Sequence, residues 1–182
     1  DLKQVLQSIL DQLVKIIPSD SGTIQLLAGD HLNVLAAIGK EALNFAKRES
    51  ITLNKFPLNN FVITEKQPVR VDVAYLDDRY QYIDETADVK SFLGIPLITK
   101  GETIGMITLD SYQTYHFTEE DEELGLTVAN YTSVAIENAR LFDTEQRRRK
   151  QAEFLHKATK ALTTSIELDK LFEIIFDSLA EL

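Results

Sequence analysis

Between Asp72 and Lys90 the carboxylates Asp72, Asp77, Asp78, Asp84, Glu85 and Asp88 stand among Tyr75, Tyr80 and Tyr82, with Arg79 directly after the Asp77-Asp78 pair. Paired carboxylates can move protons or hold a divalent cation, and the arginine can present a two-pronged fork to an anion. A solvated loop accounts better for an acidic stretch of this kind. The pairs Glu119-Glu120 and Glu122-Glu123 follow Thr118 at the start of a helical pattern, where the helix dipole favours negative charge; capping and solvation explain them. His31, His116 and His156 are scattered, with no partner four residues away and no cysteine to complete a metal shell. No metal site is expected, and haem is disfavoured. The sequence has no glycine-rich phosphate loop, dinucleotide fingerprint or Gly-x-Ser-x-Gly elbow. No catalytic residue is identified, and the expectation is a chain that is not itself an enzyme. With no cysteine, disulfides, thiol nucleophiles and thioether attachment of a chromophore are excluded together.

The elements that would position such residues follow from apolar spacing. Leu2, Val5, Leu6, Ile9, Leu10, Leu13, Ile16 and Ile17 form the stripe of an amphipathic helix that Pro18 ends. Residues 23–28 and 32–38 are strand-like and flank Gly29-Asp30, which predicts a hairpin. Residues 57–65 predict a short helix with proline in its first turn. Residues 68–72 predict a short strand that starts at a proline. Residues 92–98 and 103–109, joined through Lys100-Gly101-Glu102, predict a second hairpin, with Gly101 suited to a positive φ. The fold class is therefore α+β, with a five- or six-stranded antiparallel sheet.

Thr118-Glu-Glu-Asp121 has the form of a capping box. Beyond it only Gly125 interrupts a helical pattern that reaches at least Lys160, about 60 Å at a rise of about 1.5 Å per residue. Val134, Leu141, Arg148, Leu155 and Leu162 recur at every seventh residue, the spacing of a coiled-coil seam, although most intervening core positions are polar. A parallel homodimer through the linker helix is expected. Arg148 on the seam weakens the pairing while fixing its register. Finally, Leu168, Leu171, Phe172, Ile175, Phe176, Leu179 and Leu182 repeat the spacing of Leu2 to Ile16, which predicts the first helix of a second, similar domain.

A formal net charge of −10 sets the surface against nucleic acid and anionic lipid. The basic run Arg147 to Lys150 spreads around a helical turn beside Glu145 and Glu153, as on a solvated face. No apolar run approaches the roughly 18 residues of a membrane span. Asp1, Lys3, Asp11 and Lys15 interrupt what would be a signal-peptide core. A cytoplasmic location without membrane contact in this segment is expected.

Ser91-Phe-Leu-Gly-Ile-Pro-Leu97, Gly101-Glu-Thr-Ile-Gly-Met-Ile-Thr-Leu-Asp110, Phe117-Thr-Glu-Glu-Asp121 and Ala135-Ile-Glu-Asn-Ala-Arg-Leu-Phe142 occur in that order. The series resembles the second half of a GAF domain of bacterial signalling proteins. Ser21-Gly-Thr-Ile-Gln-Leu-Leu27 and Pro68-Val-Arg-Val-Asp72 are similar to its looser first half. The resemblance covers residues 1–142 and implies first and last helices packed on one face of the sheet and a small-molecule pocket under loops on the other. Residues 143–166 are then a coiled-coil-like linker, and 167–182 the start of a truncated second GAF-like domain.

The pocket implied by the resemblance draws on Asp72, Asp77, Arg79, Tyr80, Tyr82, Phe92, Thr108, Asp110 and Tyr112. Leu141, Arg148, Leu155 and Leu162 are expected to signal along the helix. Cyclic-nucleotide-binding members carry an Asn-Lys pair where this chain has Asp110-Ser111, which disfavours that ligand although Phe117, Asp121 and Glu122 match. Covalent bilin and the cysteine chemistry of methionine sulfoxide reductase members are excluded, and no cofactor is identified. The expected function is a regulatory sensor that binds a small ligand or partner and acts through a dimeric helix pair, formed by the N-terminal and linker helices, on an output domain outside this chain. The alternative is a ligand-free dimerisation scaffold.

Overall fold

The computed structural model describes residues 2–47 and 51–180, with side chains described up to residue 160. The chain divides into two compact units, Asp1–Glu137 and Asn138–Leu182. Among the described residues no helix is long and apolar enough to cross a membrane.

The first unit is built on one antiparallel sheet. In chain order its elements are α1 (Leu2–Ile16), β1 (Ser21–Ala28), β2 (His31–Ile38), α2 (Lys40–Phe45), β3 (Ile51–Thr52), α3 (Pro57–Glu65), β4 (Val69–Val71), β5 (Ser91–Thr99), β6 (Glu102–Ser111) and the start of α4 (Glu119–Ala180). The six strands lie in the order β3-β2-β1-β6-β5-β4. Both expected hairpins form, β1 with β2 and β5 with β6. At the second, Lys100 and Gly101 both take positive φ, 51° and 80°, the combination that matches the twist of paired strands.

Because side chains alternate across a strand, each central strand feeds two cores. Ile24, Leu93, Ile95, Leu97, Ile107 and Leu109 face α1 and α4, meeting Leu6, Leu10 and Leu13 of one helix and Ala129 and Ile136 of the other. On the opposite face Phe92, Met106, Val69 and Val71 meet Phe45 of α2 and Leu58, Val62 and Ile63 of α3, together with Leu53 and Phe56. The first and last helices thus share one face, as expected, and the two short helices cover the other.

The start of α4 is fixed by the capping box. The Thr118 hydroxyl accepts from the Asp121 amide at 3.2 Å, and the Asp121 carboxylate accepts from the Thr118 amide at 2.8 Å. Between about four and five turns further along, Lys100 Nζ stands 2.5 Å from a Glu137 oxygen, tying the β5–β6 turn to the helix.

In the second unit the described residues form one helix. Leu141 and Leu155 are exposed by 57% and 56%, and Arg148 is exposed. The side chains of Leu162 and of the repeat from Leu168 to Leu182 lie outside the described residues.

Candidate functional site

The site begins with a departure from ordinary strand chemistry. β1 begins Ser21-Gly-Thr-Ile-Gln-Leu26 and is buried over these six residues, so Ser21, Thr23 and Gln25 place polar groups in an interior where each needs a partner. β6 does the same with Thr108 and Asp110. The register opposes Ser21 to Asp110 and Thr23 to Thr108, and on the far side Asp110 to Phe92 and Thr108 to Gly94. All face the side of the sheet covered by α2 and α3.

These groups satisfy one another almost completely. Ser21 Oγ donates to Asp110 Oδ2 at 3.0 Å. The Thr23 and Thr108 hydroxyls share a hydrogen bond of 2.7 Å, and Gln25 Nε2 donates to Thr23 Oγ1 at 2.6 Å. The remaining end of the Gln25 amide, Oε1, is buried and has no hydrogen-bond partner among the described residues. Gln25 itself is 1% exposed. The packing is tight beneath it: a methyl on Gly105 would collide with the Gln25 carbonyl oxygen, so glycine is required for β1 and β6 to approach here.

Above this polar row lies a cavity of about 50 Å³, lined by Thr23, Gln25, Thr108 and Asp110 from the sheet, Glu41, Ala42 and Phe45 from α2, Leu58 and Asn59 from α3, and Phe56, Tyr80 and Phe92 among its aromatic walls. Arg79, Gln81 and Thr86 from the loop before β5 complete it. The volume suits a few water molecules or a short organic body.

Two carboxyls meet here. Asp110 is buried, and loss of solvation together with the nearby Glu41 pushes its pKa up to about 7, despite the opposing hydrogen bond from Ser21. Glu41 is 3% exposed, accepts a short hydrogen bond from the Tyr112 hydroxyl, and has Lys40 Nζ at 4.0 Å. Burial also holds the Tyr80 hydroxyl well above the ordinary tyrosine range.

Of the residues expected at the pocket, Arg79, Tyr80, Phe92, Thr108 and Asp110 line the cavity. Asp77 serves Arg79: Nε and Nη2 of the guanidinium donate to its two oxygens at 3.0 and 2.7 Å, and this hydrogen bond holds the Asp77 carboxyl below its ordinary pKa. The same guanidinium lies 4.8 Å above the Phe61 ring, so Arg79 is a committed cation rather than a free anion fork. Tyr82 packs on Tyr80 with ring centres 4.9 Å apart, and its hydroxyl donates to the Val89 carbonyl. Asp72 is exposed, 3.8 Å from Arg70 Nε, and Tyr112 reaches the cavity through Glu41.

Among the lining residues that sequence reasoning missed are Thr23, Gln25, Glu41, Phe45, Phe56 and Asn59. The polar alternation Ser21, Thr23, Gln25 within an otherwise apolar strand was the available signal for two of them. Glu41 and Asn59 sit on short helices with no such pattern.

The site is mechanically joined to the helix ends of its own unit. The Asp110 carbonyl accepts from the Asp20 amide at 2.9 Å. The Asp20 carboxylate accepts from the Ser111 hydroxyl and the Tyr112 amide. His116 Nε2 lies 2.6 Å from the Pro18 carbonyl, joining the segment after α1 to the segment before α4. Among the described residues no group of three His, Asp or Glu gathers as a metal shell.

Residues 1–137 match the family model described as GAF domain. Solved structures share the fold. The GAF domain from a phosphoenolpyruvate-protein phosphotransferase of Coxiella burnetii aligns with a TM-score of 0.71 at 24% identity, covering 79% of this chain and 87% of that one. The second GAF domain of DevS from Mycobacterium smegmatis aligns at 0.63 and 18%, covering 81% and 99%. The free methionine-R-sulfoxide reductase from Neisseria meningitidis, solved with its substrate, aligns at 0.67 and 17%, covering 78% and 81%. No curated protein matches the chain in sequence.

Proposed function

The chain belongs to the GAF domain family, a regulatory fold of signalling proteins, and from that premise we propose that it is a non-catalytic sensor that takes a small ligand in the cavity between β1, β6, α2 and α3. The observation that carries this reading is the buried Gln25 Oε1, left without a partner at the wall of a cavity. A buried acceptor without a donor costs about 1 to 3 kcal/mol, and a ligand donor removes that cost. Ligand binding would shift the Asp110–Asp20 connection and with it the junctions of α1 and α4. A ligand moves such an equilibrium only by binding one arrangement better than the other. The readout we propose is the packing of two α4 helices in a cytoplasmic homodimer of a bacterial signalling protein.

The enzymatic relatives of this fold prompt the question of catalysis. The family resemblance implies cysteine chemistry for methionine sulfoxide reductase members, and the lack of cysteine in this chain supports the regulatory reading over that one. The second reading, a ligand-free scaffold, draws on the small volume of the cavity. A thermal-shift screen of nucleotides and metabolites separates the two, with Ala42→Leu as a cavity-filled control. A ligand at about 100 times its Kd stabilises by about 2.7 kcal/mol, a shift of roughly 5 °C or more in a chain of this size. That shift should be absent in Ala42→Leu. If no compound acts and the filled variant is more stable than the parent, the scaffold reading replaces the sensor.

A further inference from the structure

The charge balance and hydrogen-bond balance of the cavity narrow the ligand chemistry. Two buried side chains that line it, Asp110 and Glu41, are carboxyls from different elements, β6 and α2. The cation that lines it, Arg79, is already forked on Asp77 and stacked on Phe61, so that pair brings no net positive charge. The group left without a partner, Gln25 Oε1, is an acceptor. The walls are rings: Phe45, Phe56, Tyr80 and Phe92. Carboxyls, a spare acceptor and aromatic faces all complement a ligand rich in N–H donors and positive charge.

We propose that the cavity selects a small organic ammonium ion, a short primary amine whose N–H groups meet Asp110 and whose carbon body lies among the rings. This rests on the reading of the cavity as a ligand site and adds the class of ligand. The body is short because the cavity holds about 50 Å³. An anion is opposed by both carboxyls, and a bare metal ion would leave the aromatic walls without a role.

The proposal couples binding to a proton. The titratable groups facing Asp110 are Glu41 from α2 and Tyr80 and Arg79 from the loop before β5. An arriving ammonium favours the ionised form of Asp110, whose proton is otherwise retained up to about pH 7. Affinity should therefore rise with pH through neutrality.

The test titrates the 182-residue chain with n-butylammonium, n-butanol and butyrate, which share a carbon body and differ in the head group, at matched ionic strength and at pH 6 and pH 8. The expected result is binding and thermal stabilisation by the amine alone, tighter by up to about tenfold at pH 8 than at pH 6. Asp110→Asn should weaken it at least tenfold and remove the pH dependence. Glu41→Gln, a second variant in case the first fails to fold, should also weaken it. Stabilisation by butanol or butyrate as strong as by the amine overturns the cation proposal and leaves the cavity reading standing. Failure of all three probes, with a different compound from the metabolite screen bound and lost in Ala42→Leu, overturns it likewise. Undiminished amine binding in both carboxyl variants does the same.

Discussion

Asp110 sits on the sheet with one hydroxyl donor, Ser21, and a second carboxyl nearby. In the unfolded chain its proton leaves near 3.8, whereas in the folded chain it is held to about 7. Between those values the folded state binds more protons, so stability falls as pH rises, and the loss is complete above about 7. At about 1.4 kcal/mol per pKa unit the upper bound is about 4 kcal/mol. Asp110→Asn should therefore be more stable than the parent at pH 8, by about 1 to 3 kcal/mol after the interior relaxes, with the gap closing towards pH 4. Urea unfolding at both pH values checks this; parallel pH profiles would refute it. Asp77 runs the other way. Its carboxyl is held low by the hydrogen bond from Arg79, so the contribution is present above about pH 4 and disappears as pH falls through the lowered value. Asp77→Asn should be less stable than the parent at neutral pH, with the gap closing as pH falls and the parent loses this contribution.

At the scale of elements, the site depends on how closely β1 and β6 approach. Gly105→Ala forces its methyl against the Gln25 carbonyl, and overpacking of this kind costs about 1 to 3 kcal/mol. Chemical denaturation should report that loss, together with weaker ligand binding, because Gln25 moves with its strand. The capping box of α4 gives a separate test. Thr118→Ala removes the hydroxyl that accepts from the Asp121 amide and should cost about 1 kcal/mol with little effect on the cavity, since Thr118 and Asp121 are not among its lining residues. A large loss of binding in Thr118→Ala would instead mean that the cap itself helps to hold the cavity in shape.

For the whole molecule, the two units pose different packing problems. The first unit buries its apolar side chains in two cores on either face of one sheet. The second presents Leu141 and Leu155 to solvent, each more than half exposed, along the seven-residue spacing that a partner helix would cover. If α4 pairs with its copy in a parallel dimer, Leu155→Glu should convert dimer to monomer in sedimentation velocity while the ligand-induced thermal shift of the first unit persists. An unchanged dimer would remove this seam from the proposed route.

Local patterns in the sequence determined the elements. The α1 stripe, the two hairpins, the positive φ at Gly101, and the capping box at Thr118 each depend on residues within a few positions of one another, where propensity and short-range hydrogen bonds decide. The ordered motifs likewise identified the family over the residues that match it. The site was only half legible. Asp110, Thr108, Phe92, Tyr80 and Arg79, named from the sequence, line the cavity, but the pairing of Thr23 with Thr108, the spare Gln25 acceptor and the second carboxyl at Glu41 arise from strand register and from where α2 lands on the sheet. Those contacts join residues up to about ninety positions apart. Their energies come from burial and mutual desolvation, which exist only once the chain has folded around them.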